Sequence, residues 1–384
     1  MAEAAVNAGS AEAGTIVARD HAKWEKKGQP NKAELLVYAA RKSGRNPIGL
    51  GIEMSKARRG RAKIQFDEYV KFGLYDKARF TDDERAQFVG AAVQNQVIHK
   101  TNDLWWFALT EDKWLSHLHL TRDGLPVPDT VAIVDTGARR YADGTVLRSA
   151  DDLRGFLKTA GFPLFGKHNR GLMSVGVFII ENADDDMVYL REQGGMTYHK
   201  FLEHIIGSDA FLLQRLVRNC GFIRQFTEAA ATIRMVNFLK EDGLWVSHAV
   251  LKLPSGGNLA DNFWRPGNLL CNIDPETGKV LRLVGTDGPG LKELEAHPSV
   301  DAALLGETLP HWDRLLEVNA QVASLHTPLK YQSTDICITD DGPVIVEVNA
   351  GSSFSLPQYA SGQGFLTPEI RKIFRDWGAD MIWA

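Results

Sequence analysis

The chain has 384 residues, 44% of them hydrophobic, the composition of an ordinary globular protein whose core is large enough for two or three subdomains. Its formal net charge of -4 and pI near 6.3 supply no bulk electrostatic pull toward nucleic acid or an anionic membrane. No signal-peptide pattern and no long uncharged apolar run stands in the sequence, so a cytoplasmic protein without a membrane span is expected. The three scattered cysteines, Cys220, Cys271 and Cys337, read as reduced core thiols.

Met1 to Asp20 is small, polar and aperiodic, and reads as a disordered tail. His21 to Arg61 is basic. It holds one expected helix, Lys32 to Lys42, then Gly44, Pro47 and the cluster Ala57-Arg58-Arg59-Gly60-Arg61, a solvated face unless it docks an acidic substrate or partner. Phe66 to Tyr75 reads as a helix with aromatic residues on one side. Thr81-Asp82-Asp83-Glu84 is a capping box opening the next, with Phe88, Val89, Ala92, Val93 and Val97 at helical spacing. Thr110 is placed to cap a helix carrying Lys113, with Trp114, Leu115 and Leu118 inward, ended by Pro126-Val127-Pro128. Expected boundaries are a tail over 1–20, a helical region over 21–109, a small lobe over 110–218 and a large lobe over 219–384.

Ser149-Ala150-Asp151-Asp152 opens another helix and leads to the strand-like run Phe162 to Lys167. The loop His168 to Gly176 and a second strand from Val177 follow. A strand ending in lysine, a glycine-containing loop and a strand form the arrangement expected of a hairpin lid over polyphosphate. Backbone N–H groups and a basic residue there meet anionic oxygens, which singles out Lys167, Asn169, Gly171, Ser174 and Gly176. Asp184, Asp185 and Asp186 read as solvated turn residues. Phe211 to Val217 is a short apolar strand. Thr232 to Leu239 and Leu244 to Leu251 flank an Asp242-Gly243 turn, and Arg234 inside the first of these strands calls for an anion. Another hairpin pairs Leu269 to Ile273 with Val280 to Val284. His297 and His311 read as loop residues that cap or pack, and an amphipathic helix carries Leu315, Val318, Val322 and Leu325.

The stretch Asp335 to Asn349 places two apolar runs around Asp340-Asp341-Gly342, a strong hairpin signal. Glu347 and Asn349 lie two apart and so share a face, and pairing across the turn can bring Asp335 beside them. Two carboxylates and an amide oxygen suit a hard divalent cation such as Mg²⁺. Substituting Asp335 or Glu347 is therefore expected to abolish turnover and leave the fold intact. Ala350 to Gly364 reads as a small-residue loop that backbone or ligand can approach closely, and Pro368 to Trp377 as a packing helix.

Asp335, the hairpin and the ending Glu347-Val348-Asn349 resemble the Mg²⁺ signature of the ATP-grasp superfamily, and the chain from about Phe66 onward is most similar to its sugar-transfer associated branch. The resemblance implies an α+β ATP-grasp fold of two α+β lobes clamping ATP, preceded by a helical N-terminal region. It implies ATP and Mg²⁺, as two ions that Mn²⁺ can replace, with metal ligands Asp335, Glu347 and Asn349. Lys113 and Lys167 match the lysines that reach the phosphates. Gln214, Arg215, Leu216 and Val217 match the hinge strand that pairs with adenine's edge, with glutamine where glutamate is frequent. Arg234 matches a residue that contacts phosphate or an acyl phosphate. Asp261-Asn262 resembles the family's Asp-Asn plus glycine segment, with Trp264-Arg265-Pro266 replacing smaller residues, so Asn262 joins Arg234 and Lys167 as a catalytic candidate.

The implied activity joins a carboxylate to an amine through an acyl phosphate, releasing ADP and phosphate. The implied substrates are small molecules, free or linked to a sugar or peptide. A kinase acting on a hydroxyl and a non-catalytic nucleotide-binding module remain as alternatives.

Overall fold

Period-two runs rich in Val, Ile, Leu and Phe build two seven-stranded sheets in the computed structural model of the chain, which describes residues 14–26, 31–171, 174–263 and 265–379. The described residues divide into two compact units, one of 14–26, 112–114 and 128–217, the other of 31–111, 115–127 and 218–379.

The first unit holds β1 Thr130–Val134, β2 Val146–Leu147, β3 Leu164–His168, β4 Phe178–Ala183, β5 Met187–Leu190, β6 Gly194–Thr197 and β7 Phe211–Arg215. Their order is β2-β1-β7-β3-β4-β5-β6, with β1 and β2 parallel and every other pair antiparallel. The expected capping box is present: Ser149 Oγ accepts from Asp152 N at 3.1 Å and opens the helix Ala150–Leu157. That helix buries Leu153 and Leu157 against Leu164, Ile180 and Leu213. Ile16 joins the same core from the helix Ile16–Lys26. The expected disordered tail is thus ordered from Ile16, because an apolar residue there finds a core to enter; residues 1–13 lie outside the described residues.

The second unit holds β8 Thr232–Lys240, β9 Gly243–Leu253, β10 Leu269–Ile273, β11 Val280–Asp287, β12 Gly290–Leu294, β13 Tyr331–Thr339 and β14 Gly342–Asn349, in the order β12-β11-β10-β9-β8-β13-β14. One face packs Ile233, Met235, Leu251, Cys271 and Ile336 on Trp312 and Leu315 of the helix Trp312–Leu325. On the other face, Val250, Leu270 and Val284 meet Leu35, Leu50, Met54 and Phe72, while Val236, Phe238 and Tyr331 meet Val89, Val97, Phe354 and Phe374. Each of these fully buried side chains stabilises by about 1.5–3 kcal/mol. The helical region is consequently no separate layer. Residues 31–111 cover one face of the second sheet and belong to its unit.

Several local expectations change for identifiable reasons. Pro47 begins a helix: Asn46 Oδ1 accepts from Ile48 N at 2.9 Å and the helix Pro47–Arg59 follows, proline being tolerated in a first turn that lacks an N–H partner. The helix from Phe66 stops at Lys71, before Gly73 at φ 72. Thr81 caps only the short helix Asp82–Ala86, and Val97 lies on a later one, Gln94–Thr101, leaving Ala92 exposed. Thr110 is no N-cap, since it sits inside the helix Ala108–Glu111, and Leu115 faces out. The expected loop after Asn349 contains the buried helix Ser355–Ser361, ended by Gly362 at φ 70. Among the described residues no helix is long and apolar enough to cross a membrane.

Candidate functional site

Strand register assembles a polar row across one face of the second sheet. Lys252 on β9 stands opposite Thr232 on β8; two residues along β8, Arg234 stands opposite Asp335 on β13, and Asp335 opposite Glu347 on β14. Residues directly opposite share a face, so four adjacent strands deliver these side chains together. Their neighbours along the strands, Ile233, Met235, Leu251 and Ile336, go to the core behind. A bulge between Asp335 and Ile336 re-aims the hairpin at this point.

Arg234 grips Asp335 with two parallel bonds, Nε to Oδ1 at 2.8 Å and Nη2 to Oδ2 at 2.7 Å. Lys252 Nζ donates to the same Asp335 Oδ2 at 2.9 Å and lies 3.0 Å from Asp261 Oδ2, which also accepts from the Thr232 hydroxyl. Two cations and two carboxylates thus close into a neutral network, with Asp335 only 2% exposed. Burial alone would raise the Asp335 carboxyl, but the charge of Arg234, then that of Lys252, and their hydrogen bonds hold it well below the usual carboxylate range. Burial likewise opposes the charge on Lys252, and Asp261 and Asp335 more than restore it. The anion that Arg234 requires is therefore supplied by the protein. A guanidinium has five N–H groups, and among the described residues two are used, both on Asp335, which leaves three for a further oxyanion.

Lys252 escaped notice in the sequence although its signal matched that of Arg234, a lone cation within an apolar strand. Asn268 escaped as well. Its buried amide accepts from Ser255 N and Asn258 Nδ2 at 3.0 and 2.7 Å and donates to the carbonyls of Ala260 and Asn262 at 2.9 and 2.8 Å. All four bonding positions are filled, which fixes the loop that presents Asp261 and Asn262; Trp264 lies outside the described residues.

The resemblance implies Mg²⁺, and the donors fit it. Among the described residues no three or more His, Cys, Asp or Glu gather, so the set is two carboxylates and an amide, all oxygen donors suited to a hard cation. Asn349, two residues from Glu347 on the same face, has a buried Nδ2 with no hydrogen-bond partner among the described residues, so its amide can turn its oxygen to a cation without losing a bond from that nitrogen. Asp335 offers less than expected. Its Oδ2 already accepts two bonds and its Oδ1 one, leaving a single lone-pair direction.

In the first unit the structure brings Lys113, Asn169 and Gly171 together. Asn169, only 2% exposed, caps the helix Lys113–Arg122 from a distance: its carbonyl accepts from Lys113 N at 3.0 Å and its Oδ1 from Trp114 N at 2.9 Å. Lys113 Nζ donates to the Gly171 carbonyl at 2.7 Å. Lys167 sits on β3 opposite Leu212 of β7, half-buried. Ser174 adopts φ 57 and Gly176 φ 75, and Gly176 N donates to Asp20 Oδ2 at 3.0 Å; residues 172 and 173 lie outside the described residues. The Gln214 amide donates to Thr130 Oγ1 at 2.8 Å, Arg215 reaches the Gly161 carbonyl at 2.9 Å, and Leu216 and Val217 follow the end of β7, half-buried.

The cysteines and His297 are packed side chains, whereas His311 is exposed and makes no side-chain cap bond to the helix it precedes. The cysteines are free and buried, and burial pushes the thiols of Cys271 and Cys337 up to about 12. His297 packs on Phe226 and accepts from Ser299 N at 3.2 Å, while His311 precedes the helix Trp312–Leu325.

Residues 92–374 match the family described as sugar-transfer associated ATP-grasp, and the chain belongs to that family. No curated protein matches the chain. Among solved structures it is similar to D-alanine–D-alanine ligase from Bacillus anthracis complexed with ATP, at 15% identity and TM-score 0.38 over 73% of this chain and 70% of that one. It is similar also to D-alanine–D-alanine ligase from Helicobacter pylori, at 11% identity and TM-score 0.39 over 71% of this chain and 61% of that one. For a biotin carboxylase complex from Campylobacter jejuni the values are 14% and 0.40, over 74% of this chain and 49% of that one. Likeness at this level says nothing of substrate.

Proposed function

We propose that the chain is an ATP- and Mg²⁺-dependent carboxylate–amine ligase that forms an amide through an acyl phosphate. The observation that carries this reading is the buried network on the second sheet, where Arg234 is oriented by Asp335 and keeps three N–H groups for an oxyanion. Such a preorganised donor favours the charge that develops when a carboxylate oxygen takes up a phosphoryl group. Glu347 and Asn349, with the remaining lone pair of Asp335, would hold Mg²⁺, whose positive charge lowers the repulsion among phosphate oxygens. Lys113 and Lys167 neutralise phosphate. Asn262 positions the acid from a loop that Asn268 holds rigid. The carboxylate displaces ADP from the γ-phosphorus; the amine then attacks the acyl carbon, phosphate leaves with the C–O bond pair, and the amine proton goes to solvent. Acid and amine are small molecules, free or linked to a sugar or peptide.

Mass balance tests the reading. Incubation with ATP, Mg²⁺ and pools of acids and amines yields ADP and free phosphate in equal amounts, with a product lighter by one water than acid plus amine. Acid with hydroxylamine alone yields a hydroxamate. A phosphorylated product without phosphate release would make the protein a kinase, and AMP with pyrophosphate would contradict the site as assigned.

A further inference from the structure

The ligase reading makes no use of the segment between Lys32 and Lys63, where nine lysines and arginines stand against two glutamates in a chain of net charge -4. Both glutamates are already engaged. Glu34 accepts from Asn31 N at a helix cap, and Glu53 binds Arg45, Arg85 and the Tyr69 hydroxyl. Facing outward is a pocket of about 540 Å³ lined by Lys32, Ser55, Arg58, Arg59, Lys63 and Phe66. Lys32 Nζ and Arg58 Cζ lie 4.8 and 5.5 Å from the Phe66 ring centroid, which holds two like charges over one face-forming aromatic. Among the described residues, no carboxylate pairs with any of these four cations. A second hollow of about 530 Å³ shares Lys32, Ser55 and Arg59 and is walled by Leu36, Pro47, Ile48 and Ile52. Ile48 is 74% exposed and Ile52 55%, one turn apart on the helix Pro47–Arg59.

We propose that this face is a docking surface for an anionic lipid bilayer, with phosphate headgroups in the basic pocket and Ile48 and Ile52 entering the interface. Gathered cations without counter-charges are relieved by an anionic partner. Nucleic acid or a soluble polyanion would use the cations and leave two isoleucines in water. A bilayer uses both features at once, as interfacial helices do. An acidic peptide would also meet both, but Ile48, at the border of its hollow, stays 74% exposed, which suits insertion into a fluid phase more than burial in a groove. The chain would lie on the membrane through a local patch that its net charge conceals.

Sedimentation of the full chain with phosphatidylcholine vesicles, with and without phosphatidylglycerol, tests this. Binding is expected only to the vesicles containing phosphatidylglycerol and weakens as salt is raised. The double variant Arg58→Glu/Arg59→Glu should weaken it at least about 20-fold. Ile48→Asp/Ile52→Asp, at exposed positions remote from the core, should weaken it at least about 10-fold with an unchanged circular dichroism spectrum. Absence of binding to the anionic vesicles overturns the proposal. Binding that depends on the arginines and ignores the isoleucines also overturns it, in favour of a soluble polyanion.

Discussion

In the first unit Lys113 gives its ammonium to the Gly171 carbonyl at 2.7 Å, whereas in the second Arg234 and Lys252 share the buried carboxylate of Asp335 at 2.7–2.9 Å. A carbonyl is a neutral partner that phosphate can replace at little cost. A buried carboxylate is not, because taking it away strands charge in a dry site. The difference separates two jobs that one residue type can do. A lysine bonded to a neutral carbonyl can turn to a ligand, and a lysine held between buried carboxylates is part of the scaffold that aims its neighbours. The substitutions below probe that contrast, beginning with the largest effect.

Asp335→Asn should be the most damaging, since it leaves Arg234 and Lys252 facing a neutral amide. We expect a loss of about 3–5 kcal/mol in urea unfolding together with at least about 10²-fold loss of turnover. This departs from the expectation that a metal ligand could be removed with the fold intact; an Asp335→Asn protein as stable as the parent would show that the network contributes little to folding. Asn169→Ala should lie lower on the scale. It removes the acceptor for Trp114 N at the start of the helix Lys113–Arg122, and about 1–2 kcal/mol of stability should go with it. Hydrogen exchange across 168–176 should rise at the same time, and a change in nucleotide affinity with neither effect would make Asn169 a ligand and no cap.

An effect confined to acid, and absent near neutral pH, concerns His248 on β9, which lies outside both sets of cations. Burial pushes its imidazole down to about 4, with its Nδ1 3.0 Å from Ser247 Oγ and its ring against Phe365. The folded state then holds it neutral where the unfolded chain takes up a proton. The stability it contributes is complete above about pH 6.5 and declines as pH falls toward 4. His248→Gln should flatten that part of the stability profile, and an unchanged slope would assign it to other groups.

The hairpins were the most legible part of the sequence, because Asp242-Gly243 and Asp341-Gly342 punctuate strands of clear period. The row Arg234, Asp335, Glu347 was half legible. A lone arginine in an apolar strand announces that an anion is near, but only strand order β9-β8-β13-β14 reveals that the anion is Asp335 and that Lys252 competes for it. The metal reading was drawn from Asp335 and Glu347 as neighbours, and register does pair them. Asn169 was read as a lid residue because nothing local shows that its amide caps a helix more than fifty residues earlier in the chain. The helix from Pro47 goes unread in the sequence although Asn46 before it is an N-cap, a signal that is present there. The helical region is legible as such, but its packing on the second sheet is not, because its partners, Val250, Leu270 and Val284, lie some two hundred residues away in sequence.

Isothermal titration of Mg-ATP into Lys167→Ala and Lys252→Met, each first shown to be folded, tests the division of labour most directly. Lys167→Ala should weaken Mg-ATP at least about 10-fold and leave adenosine unchanged, since the ammonium meets charge and not the ring. Lys252→Met should bind Mg-ATP within about threefold of the parent while acid-dependent phosphate release falls at least about 10²-fold. Equal loss of Mg-ATP affinity in both variants, or loss of adenosine binding in Lys167→Ala, would contradict the account.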